Sequence, residues 1–562
     1  MKEKFYSQRY SYLFTLTSIV SRSRFLVGFI IFIGLFVCCY IILDQRKKYI
    51  VSYPYIFFQR AKSHFPILAP DVLDSIKADN PWPRHYRDEH KPEAIRNLMA
   101  PNLSVSAFKK VEANPTDISK SSRVFQLEYK STSVNPETAH CVELRRRISN
   151  GIVEYAQREN NSELSSLLQP IFTKKKLVVW SADHHIGPVS DIRSLIEPLG
   201  VEFLEHTLYD PCKRFCTCDQ MNITKVLNNT NVLFSLSKGL IEQFVRHYSN
   251  DSDFIRADAL LLCHSATLLD IFVKFHVPVI FVSSLRYDTT VADDLKGWKR
   301  LTMHIESLVD NSHNIVGANN KYDAEYIKYF TGRSVDYIPS FGGYTGYKYK
   351  PSKSRKTFLK ARKNYWNLIA KEWEPKYNNR YKQLNATYNL KKGSYDFASV
   401  SSFHGVLHMP YEVSTMSFFE HYRMDIPIFV PSARFLVELN IRYHVVFDRT
   451  RRAGSRAKPA RHSELKAHNS TRALKVPDPN NDFNIKAIEY WLPLSDYYQF
   501  PHIFYFNSVE HLVDVMHNTS EARLFETSAA MRKFNVAHLK QILGYWRRRL
   551  VDIAKNSNNR PY

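Results

Sequence analysis

The chain has 562 residues, of which 44% are apolar and 14% aromatic, and its formal net charge is +24. This apolar content can bury two sizeable cores and excludes an intrinsically disordered protein, and the length predicts about two to four domains. Much of the charge is local, because residues 449–475 hold nine basic residues and one acidic residue. We interpret 449–475 as a solvated, disordered insertion, with a polyanion-binding loop as the alternative. No nucleic-acid-binding motif accompanies the charge, so we expect no nucleic acid among the partners.

A membrane anchor is predicted near the start of the chain. Residues 25–43, FLVGFIIFIGLFVCCYIIL, are 19 uncharged residues, enough to cross a bilayer, and they do not end in the small residues of a cleavage site. Acceptor triplets for N-glycosylation all follow this stretch, at Asn102, Asn160, Asn222, Asn228, Asn250, Asn385, Asn469 and Asn518. We therefore expect residues 1–24 to form a cytosolic tail, residues 25–43 a single type II span, and the remainder to lie in the lumen of the Golgi apparatus or endoplasmic reticulum.

Residues 44–170 are predicted to form a stem with leading helices, since they are rich in Pro, Lys and Ser and show helical spacing only after Pro136. Beyond the stem, Cys212, Cys216 and Cys218 form a cluster. Disulfides fit an oxidising lumen, and half of a metal site is the alternative, although Cys-x-Cys is not the usual zinc spacing.

The next segment, 171–345, alternates short apolar strands with helices. The predicted strands are 177–180, 201–207, 259–263, 278–283, 314–318 and 335–340. Continuous apolar strands that alternate with helices predict a doubly wound parallel α/β domain, which binds ligands beyond the carboxyl ends of its strands. The first of these ends carries Asp183-His184-His185, and we predict that His184 orients an acceptor hydroxyl or contacts a sugar. Capping of the following helix is the alternative role for this pair of histidines.

A second α/β domain is predicted over 346–562, where MPYEVSTMSFFEHYRMDIPIFVPS at 409–432 is the most informative stretch. Its pattern predicts a helix that begins near Pro410, a turn at 425–427 and a buried strand. On that helix Glu412 and Glu420 would lie two turns apart on one face, with Ser414 and Thr415 near its start. Carboxylates accept hydrogen bonds from sugar hydroxyls, and the amino end of a helix attracts phosphates.

This Glu-x7-Glu helix, turn and strand resemble the nucleotide-sugar site of retaining GT-B glycosyltransferases. The resemblance implies two facing Rossmann-like domains, with a C-terminal helix at 520–554 that crosses back to the first. It implies that Glu420 binds the ribose of the donor and that Glu412 faces the transferred sugar. The other donor contacts that we predict are Ser414, Thr415, His404 and Gly405. Arg355 and Lys356 are our candidates for the diphosphate, chosen from a basic segment at the start of the second domain.

The resemblance further implies a glycosyltransferase that moves a sugar from a nucleotide-sugar to a hydroxyl of a glycan or glycoprotein, with retention of configuration. The nucleotide-sugar is then a substrate, and no cofactor or metal is expected. A catalytically inactive, GT-B-like glycan-binding membrane protein is one alternative, and a polyanion-binding scaffold that depends on 449–475 is another. A lumenal sulfotransferase is less favoured, because SADHHIGP after the first strand lacks the Lys and hydroxyl cluster of a phosphate-binding loop.

Overall fold

The computed structural model describes residues 139–208, 226–228, 231–233, 235–291, 294–353, 357–360, 386–387, 397–443, 445–446, 465–481 and 484–557. All of these residues belong to one compact unit. The predicted tail, span and most of the stem lie outside the described residues, as do Arg355, Lys356 and the cysteine cluster at 212–218. Among the helices that are described, none is both long enough and apolar enough to cross a membrane.

Six described strands form a parallel sheet in the order β2-β1-β3-β4-β5-β6. They are β1 (Leu177–Asp183), β2 (Val201–Thr207), β3 (Ala259–Leu262), β4 (Val279–Ser283), β5 (Ile315–Ala318) and β6 (Asp336–Tyr337). Strands β1, β3, β4 and β5 are buried along their whole length, as expected for apolar strands that helices cover on both faces. The direction of strand addition reverses between β1 and β3, which makes this the topological switch point of the sheet.

The helices of this first half pack on the two faces of the sheet. They are α1 (Ala139–Arg158), α2 (Ser162–Leu167), α3 (Ile186–Ile196), α4 (Lys238–Tyr248), α5 (Ser252–Ile255), α6 (Leu269–Phe272), α7 (Leu295–Asp310) and α8 (Lys321–Thr331). Trp180 of β1 packs edge-on against Phe244 and Phe254 on one face. Its neighbour Val179 points to the other face, where it joins Ile152 of α1 and Ile192 of α3 in a second core.

A second parallel sheet has the order β11-β10-β9-β7-β8. Its strands are β7 (Phe358–Lys360), β8 (Ala386–Thr387), β9 (Val406–Leu407), β10 (Ile428–Pro431) and β11 (Phe504–Phe506). The accompanying helices are α9 (Phe397–Ser401), α10 (Met416–Arg423), α11 (Ala433–Tyr443), α12 (Asn469–Ala473), α13 (Ile485–Trp491), α14 (Val509–Asn518) and α15 (Glu521–Ser557). Numbered from its own first strand, this sheet has the order 2-1-3-4-5, which is the order of the first five strands of the other sheet. The predicted α/β class with two Rossmann-like parallel sheets is therefore confirmed.

The long last helix, α15, contacts both halves of the chain. Asn535 donates its side-chain amide to the carbonyl of Tyr422 and to the Asp425 carboxylate, at 2.9 and 2.8 Å. Further along, Leu543 and Trp546 enter the core that contains Val179. The stretch that we predicted to cross back, 520–554, is thus a helix that joins the two halves.

Part of the predicted disordered insertion is ordered. Residues 465–475 include α12 and pack on α8, where Leu465 and Ala467 are buried. The backbone N–H of His468 donates to the carbonyl of Tyr329 at 3.0 Å. Leu465 and Ala467 are small apolar anchors in a basic sequence, and composition averaged over the whole insertion conceals them. Residues 449–464 lie outside the described residues.

Candidate functional site

The carboxyl edges of the two sheets face each other. A Cβ atom built on Gly187, in the first turn of the helix that follows β1, would lie 3.2 Å from Cγ of Met416, the first residue of α10. In the loop after β4, Arg286 Nη1 lies 3.6 Å from Glu412 Oε1, in the segment between β9 and α10. Loops that follow strands of the first sheet therefore meet the loop that follows a strand of the second, where ligands of such sheets bind.

Three histidines gather at the switch point of the first sheet. The ring centroid of His264, which follows β3, lies 5.8 Å from that of His184 and 5.2 Å from that of His185, both after β1. The buried Asp183 carboxylate ties the two loops by accepting from the backbone N–H groups of Cys263 and His264, at 2.5 and 2.9 Å. Burial raises the pKa of Asp183, and these hydrogen bonds oppose the rise.

The two histidines after β1 have different roles. His185 is the N-cap of α3, because its Nδ1 accepts from the backbone N–H of Gly187 at 3.2 Å. His184 does not cap the helix and is partly exposed. Desolvation lowers the pKa of His184 to about 4, so its ring is neutral at pH 7 and one ring nitrogen can accept a proton or a hydrogen bond.

His264 was not among the predicted site residues. Its signal in the sequence is its position as the second residue after β3, at the edge where β1 also ends. Burial lowers its pKa well below the usual histidine value. The rings of His184 and His264 therefore form a neutral, polar surface at the switch point.

The helix of the 409–432 motif begins later than predicted. Thr415 is its N-cap, with φ −143° and a side-chain oxygen that accepts from the backbone N–H of Phe418 at 3.3 Å. Only Glu420 lies on α10, and Glu412 lies in the preceding loop, so the prediction of two glutamates on one helical face was wrong. A helix that begins after Thr415 has a hydroxyl that accepts from a backbone N–H of its first turn. A helix that began near Pro410 would lack this cap. The turn at Asp425, with φ +59°, and the following strand β10 are as predicted.

Glu420 contacts the linker between the sheets. Its Oε1 accepts from the hydroxyl of Tyr344 at 2.8 Å, and both side chains are buried. Asp191 of α3 holds the same linker from the other side, because its carboxylate accepts from the backbone N–H groups of Phe341 and Gly342. Gly342 has φ +70° and lies against the backbone of Glu420, a place that a side chain would strain.

Arg286 is the second site residue that the sequence analysis missed. Its side chain has no exposed surface, whereas that of Glu412 is 12% exposed. Ser414, next to this pair, lies beside the buried carboxyl of Asp496 and opposes the rise of its pKa that burial causes. Thr415, beyond capping α10, lies 3.3 Å from the hydroxyl of Tyr497. The hydroxyls that we predicted to bind the donor thus contact protein groups in this structure.

The structure does not bring every predicted residue to this edge. His404 and Gly405 precede β9 and lie at its amino end, where His404 is buried against Phe358 and a Cβ on Gly405 would lie 2.8 Å from Phe429. A surface groove lined in part by Lys176 lies at the amino ends of β1 and β2, also opposite the facing edges. Within the described residues, no group of three or more His, Cys, Asp or Glu is arranged to hold a metal ion.

A search of protein-family profiles finds no match to the chain, and no curated protein matches it significantly.

Proposed function

We propose that this protein transfers a sugar from a nucleotide-sugar to a hydroxyl of a glycan or glycoprotein. The observation that carries the proposal is the position of the α10 amino end, which lies against Gly187 in the first turn of α3, three residues after the partly exposed, neutral His184. A helix amino end attracts phosphate, because its N–H groups and dipole favour negative charge. A neutral imidazole beside it can receive a hydroxyl proton.

In the reaction that this arrangement supports, the acceptor oxygen bonds to the anomeric carbon while the bond from that carbon to the diphosphate oxygen breaks. The departing nucleoside diphosphate gains negative charge, which the amino end of α10 stabilises. His184 orients the acceptor hydroxyl. The proton of that hydroxyl passes to His184 or, if configuration is retained, to the leaving phosphate. In this proposal Glu412, which lies beside Arg286 at the facing edges, accepts hydrogen bonds from the sugar. We place this activity in the secretory pathway, in a Golgi or endoplasmic reticulum protein anchored by residues 25–43.

A second candidate is a glycan-binding protein that keeps the two sheets but transfers no sugar. The contact between Glu420 and Tyr344 favours it, because Glu420 is then engaged by the linker instead of reaching a ribose.

The test uses the full-length protein and a panel of nucleoside diphosphates and their sugar esters, with thermal stabilisation and release of free diphosphate as the readouts. A ligand at one hundred times its dissociation constant should stabilise the fold by about 2.7 kcal/mol. We expect one nucleotide class to stabilise the wild type and His184→Ala to reduce turnover without changing the fold. His247→Ala, on the surface helix α4, is the matched control.

Stabilisation by nucleotides together with turnover that needs His184 supports the proposal. A well-folded protein that binds no nucleotide contradicts it. Binding of glycans without turnover favours the second candidate.

A further inference from the structure

A cluster of buried polar groups lies where the facing edges meet, and we call it the cleft cluster. It consists of Arg286, Asp323, Glu412, Ser414 and Asp496, from the loop after β4, the first turn of α8, the β9–α10 loop and the turn before β11. Charge interactions link Arg286 to Glu412 and Asp323, and link Asp323 to Asp496. Every member except Glu412 is at most 5% exposed.

Several hydrogen-bonding atoms of the cleft cluster are unpaired. Within the described residues, none of the three guanidinium nitrogens of Arg286 has a hydrogen-bond acceptor, and Oδ1 of Asp323 has no donor. The oxygens of Asp496 lack donors at full hydrogen-bond geometry, although Ser414 is close. A buried unpaired group costs about 1–3 kcal/mol, so these groups destabilise the closed contact between the two edges. Separation of the edges would return these groups to solvent or to a ligand.

The mixture of donors and acceptors limits what such a ligand can be. An anion would satisfy Arg286 but would meet Glu412 and Asp323, and Asp288 lies near enough to raise the pKa of Asp323 further. A cation would satisfy the carboxylates and oppose Arg286. A sugar hydroxyl both donates and accepts, and it carries no charge. Asp496 fits the same ligand, since burial raises its pKa well above the usual value and keeps it a hydrogen-bond donor.

We propose that the cleft cluster binds the hydroxyl groups of an uncharged sugar when the facing edges of the two sheets separate. The inference rests on the proposed function and deepens it: Arg286, Asp323 and Asp496 form the subsite for the transferred sugar, and that sugar is uncharged. Uronic acids and sialic acid are excluded by the carboxylates that surround Arg286.

The experiment separates the sugar from the nucleotide. The dissociation constants of UDP, UDP-glucose, UDP-N-acetylglucosamine, UDP-glucuronate, GDP and GDP-mannose are measured by calorimetry with the wild type and with Arg286→Gln and Asp323→Asn. In parallel, free glucose, mannose, N-acetylglucosamine and glucuronate are tested by saturation-transfer NMR, which needs no nucleotide. Arg423→Gln is the matched control, because the Arg423 guanidinium is equally buried and also lacks hydrogen-bond acceptors in the described part of the chain, but lies at the last residue of α10, against the rings of Tyr155 and Phe341.

We expect one neutral nucleotide-sugar to bind at least 10-fold more tightly than its nucleoside diphosphate, and glucuronate to give no gain. Arg286→Gln and Asp323→Asn should remove the increase in affinity that the sugar contributes, and should leave the affinity for the nucleoside diphosphate within twofold of the wild type. Arg423→Gln should preserve the increase.

Each other outcome is decisive. If the nucleotides bind but the sugar adds nothing, or if the gain survives both cleft variants, the subsite is overturned and the proposed function stands. If free neutral sugars bind through Arg286 and no nucleotide binds, the subsite stands and the transferase does not. If neither class binds the folded protein, both are overturned. Should Arg286→Gln fail to fold, Ser414→Ala replaces it, with the same expected loss of the sugar's contribution.

Discussion

Arg286 and Arg423 are both buried to within 2% of complete, and neither guanidinium donates a hydrogen bond within the described residues, yet their surroundings differ. The guanidinium of Arg423 lies 3.6 Å from the ring centroid of Tyr155 and 5.2 Å from that of Phe341. Arg286 instead faces carboxylates, at 3.6 Å from Glu412 across the meeting edges. The first arginine is enclosed by aromatic rings and the second by acids.

The difference shows how a buried charge can serve either the fold or a site. Tyr155 of α1 and Phe341 of the linker belong to one core and enclose Arg423 of α10, and a desolvated cation–π contact is worth about 2 kcal/mol. Glu412 reaches Arg286 from the other sheet, so this part of the Arg286 environment exists only while the two edges touch, whereas Asp323 belongs to the same half of the chain as Arg286. Arg423 therefore stabilises the assembled chain, and Arg286 is available for exchange with a ligand.

The largest effect should come from a substitution at Glu412, in the cleft cluster. Glu412→Gln removes the carboxylate that faces both Arg286 and the proposed sugar, and we expect kcat/KM for sugar transfer to fall by about 10³-fold, or about 4 kcal/mol. The measurement is a steady-state assay with the donor that the nucleotide panel identifies. Glu438→Gln, on the outer part of α11, should leave the rate unchanged. An unaffected Glu412→Gln enzyme would remove Glu412 from the mechanism.

Urea unfolding distinguishes the two arginines directly. Arg423→Ala removes the desolvated cation–π contact with Tyr155, worth about 2 kcal/mol, and also the positive charge that lowers the pKa of the buried Asp425. Arg286→Ala should cost less than half as much, because its ion pair is long and Glu412 can be hydrated at the surface of the cleft. Tyr155→Leu should destabilise the protein in the same direction as Arg423→Ala. Equal losses for the two arginines would refute the contrast drawn above.

The pH dependence of stability tests the carboxyl group of Asp323, one of the acids near Arg286. Burial raises the pKa of Asp323 from 3.8 to about 6, so the folded state holds this proton more tightly than the unfolded state. The free energy of unfolding should therefore fall as the pH rises from about 4 to 6, by about 3 kcal/mol from this group. Asp323→Asn should flatten that part of the profile and raise stability at pH 7. A profile that is identical in wild type and variant would contradict the buried position of the carboxyl.

The smallest effect concerns the start of α10. Thr415→Ala removes the N-cap hydroxyl and should lower the free energy of unfolding by about 1 kcal/mol, whereas Thr415→Ser should retain it. The same Ala substitution should weaken nucleotide binding if the helix end holds the diphosphate. Equal stability of the Ala and Ser variants would show that the cap contributes nothing.

The sheet architecture was largely readable from the sequence. The apolar run 177–180 is a buried strand and the run 201–207 is a strand, and Gly200 ends the helix region before β2, since its φ of +93° suits glycine. Periodicity is reliable in these places because covered parallel strands leave no polar face to dilute the signal.

The candidate site was harder to predict from the sequence, because it depends on contacts between residues that are far apart along the chain. Arg286 has no special sequence neighbours, and its importance comes from Glu412, 126 positions away and on the other sheet. The start of α10 was placed too early, because Pro410 and Thr415 are both plausible first-turn residues and only the backbone at Thr415 decides between them. His404 and His408 stand at opposite ends of β9, a difference that four positions of sequence do not reveal until the strand is placed.

The last helix has a consequence for how the chain is made. Leu543, Trp546 and Leu550 of α15 pack with Val179 and Ile192, so the first sheet is covered on that face by residues more than 340 positions later in the chain. During synthesis this apolar face of the amino-terminal half stays uncovered until α15 has left the ribosome, when almost the whole polypeptide has been made. We therefore expect the two halves to assemble late in synthesis, and a protein truncated before α15 to expose this apolar face and to be degraded.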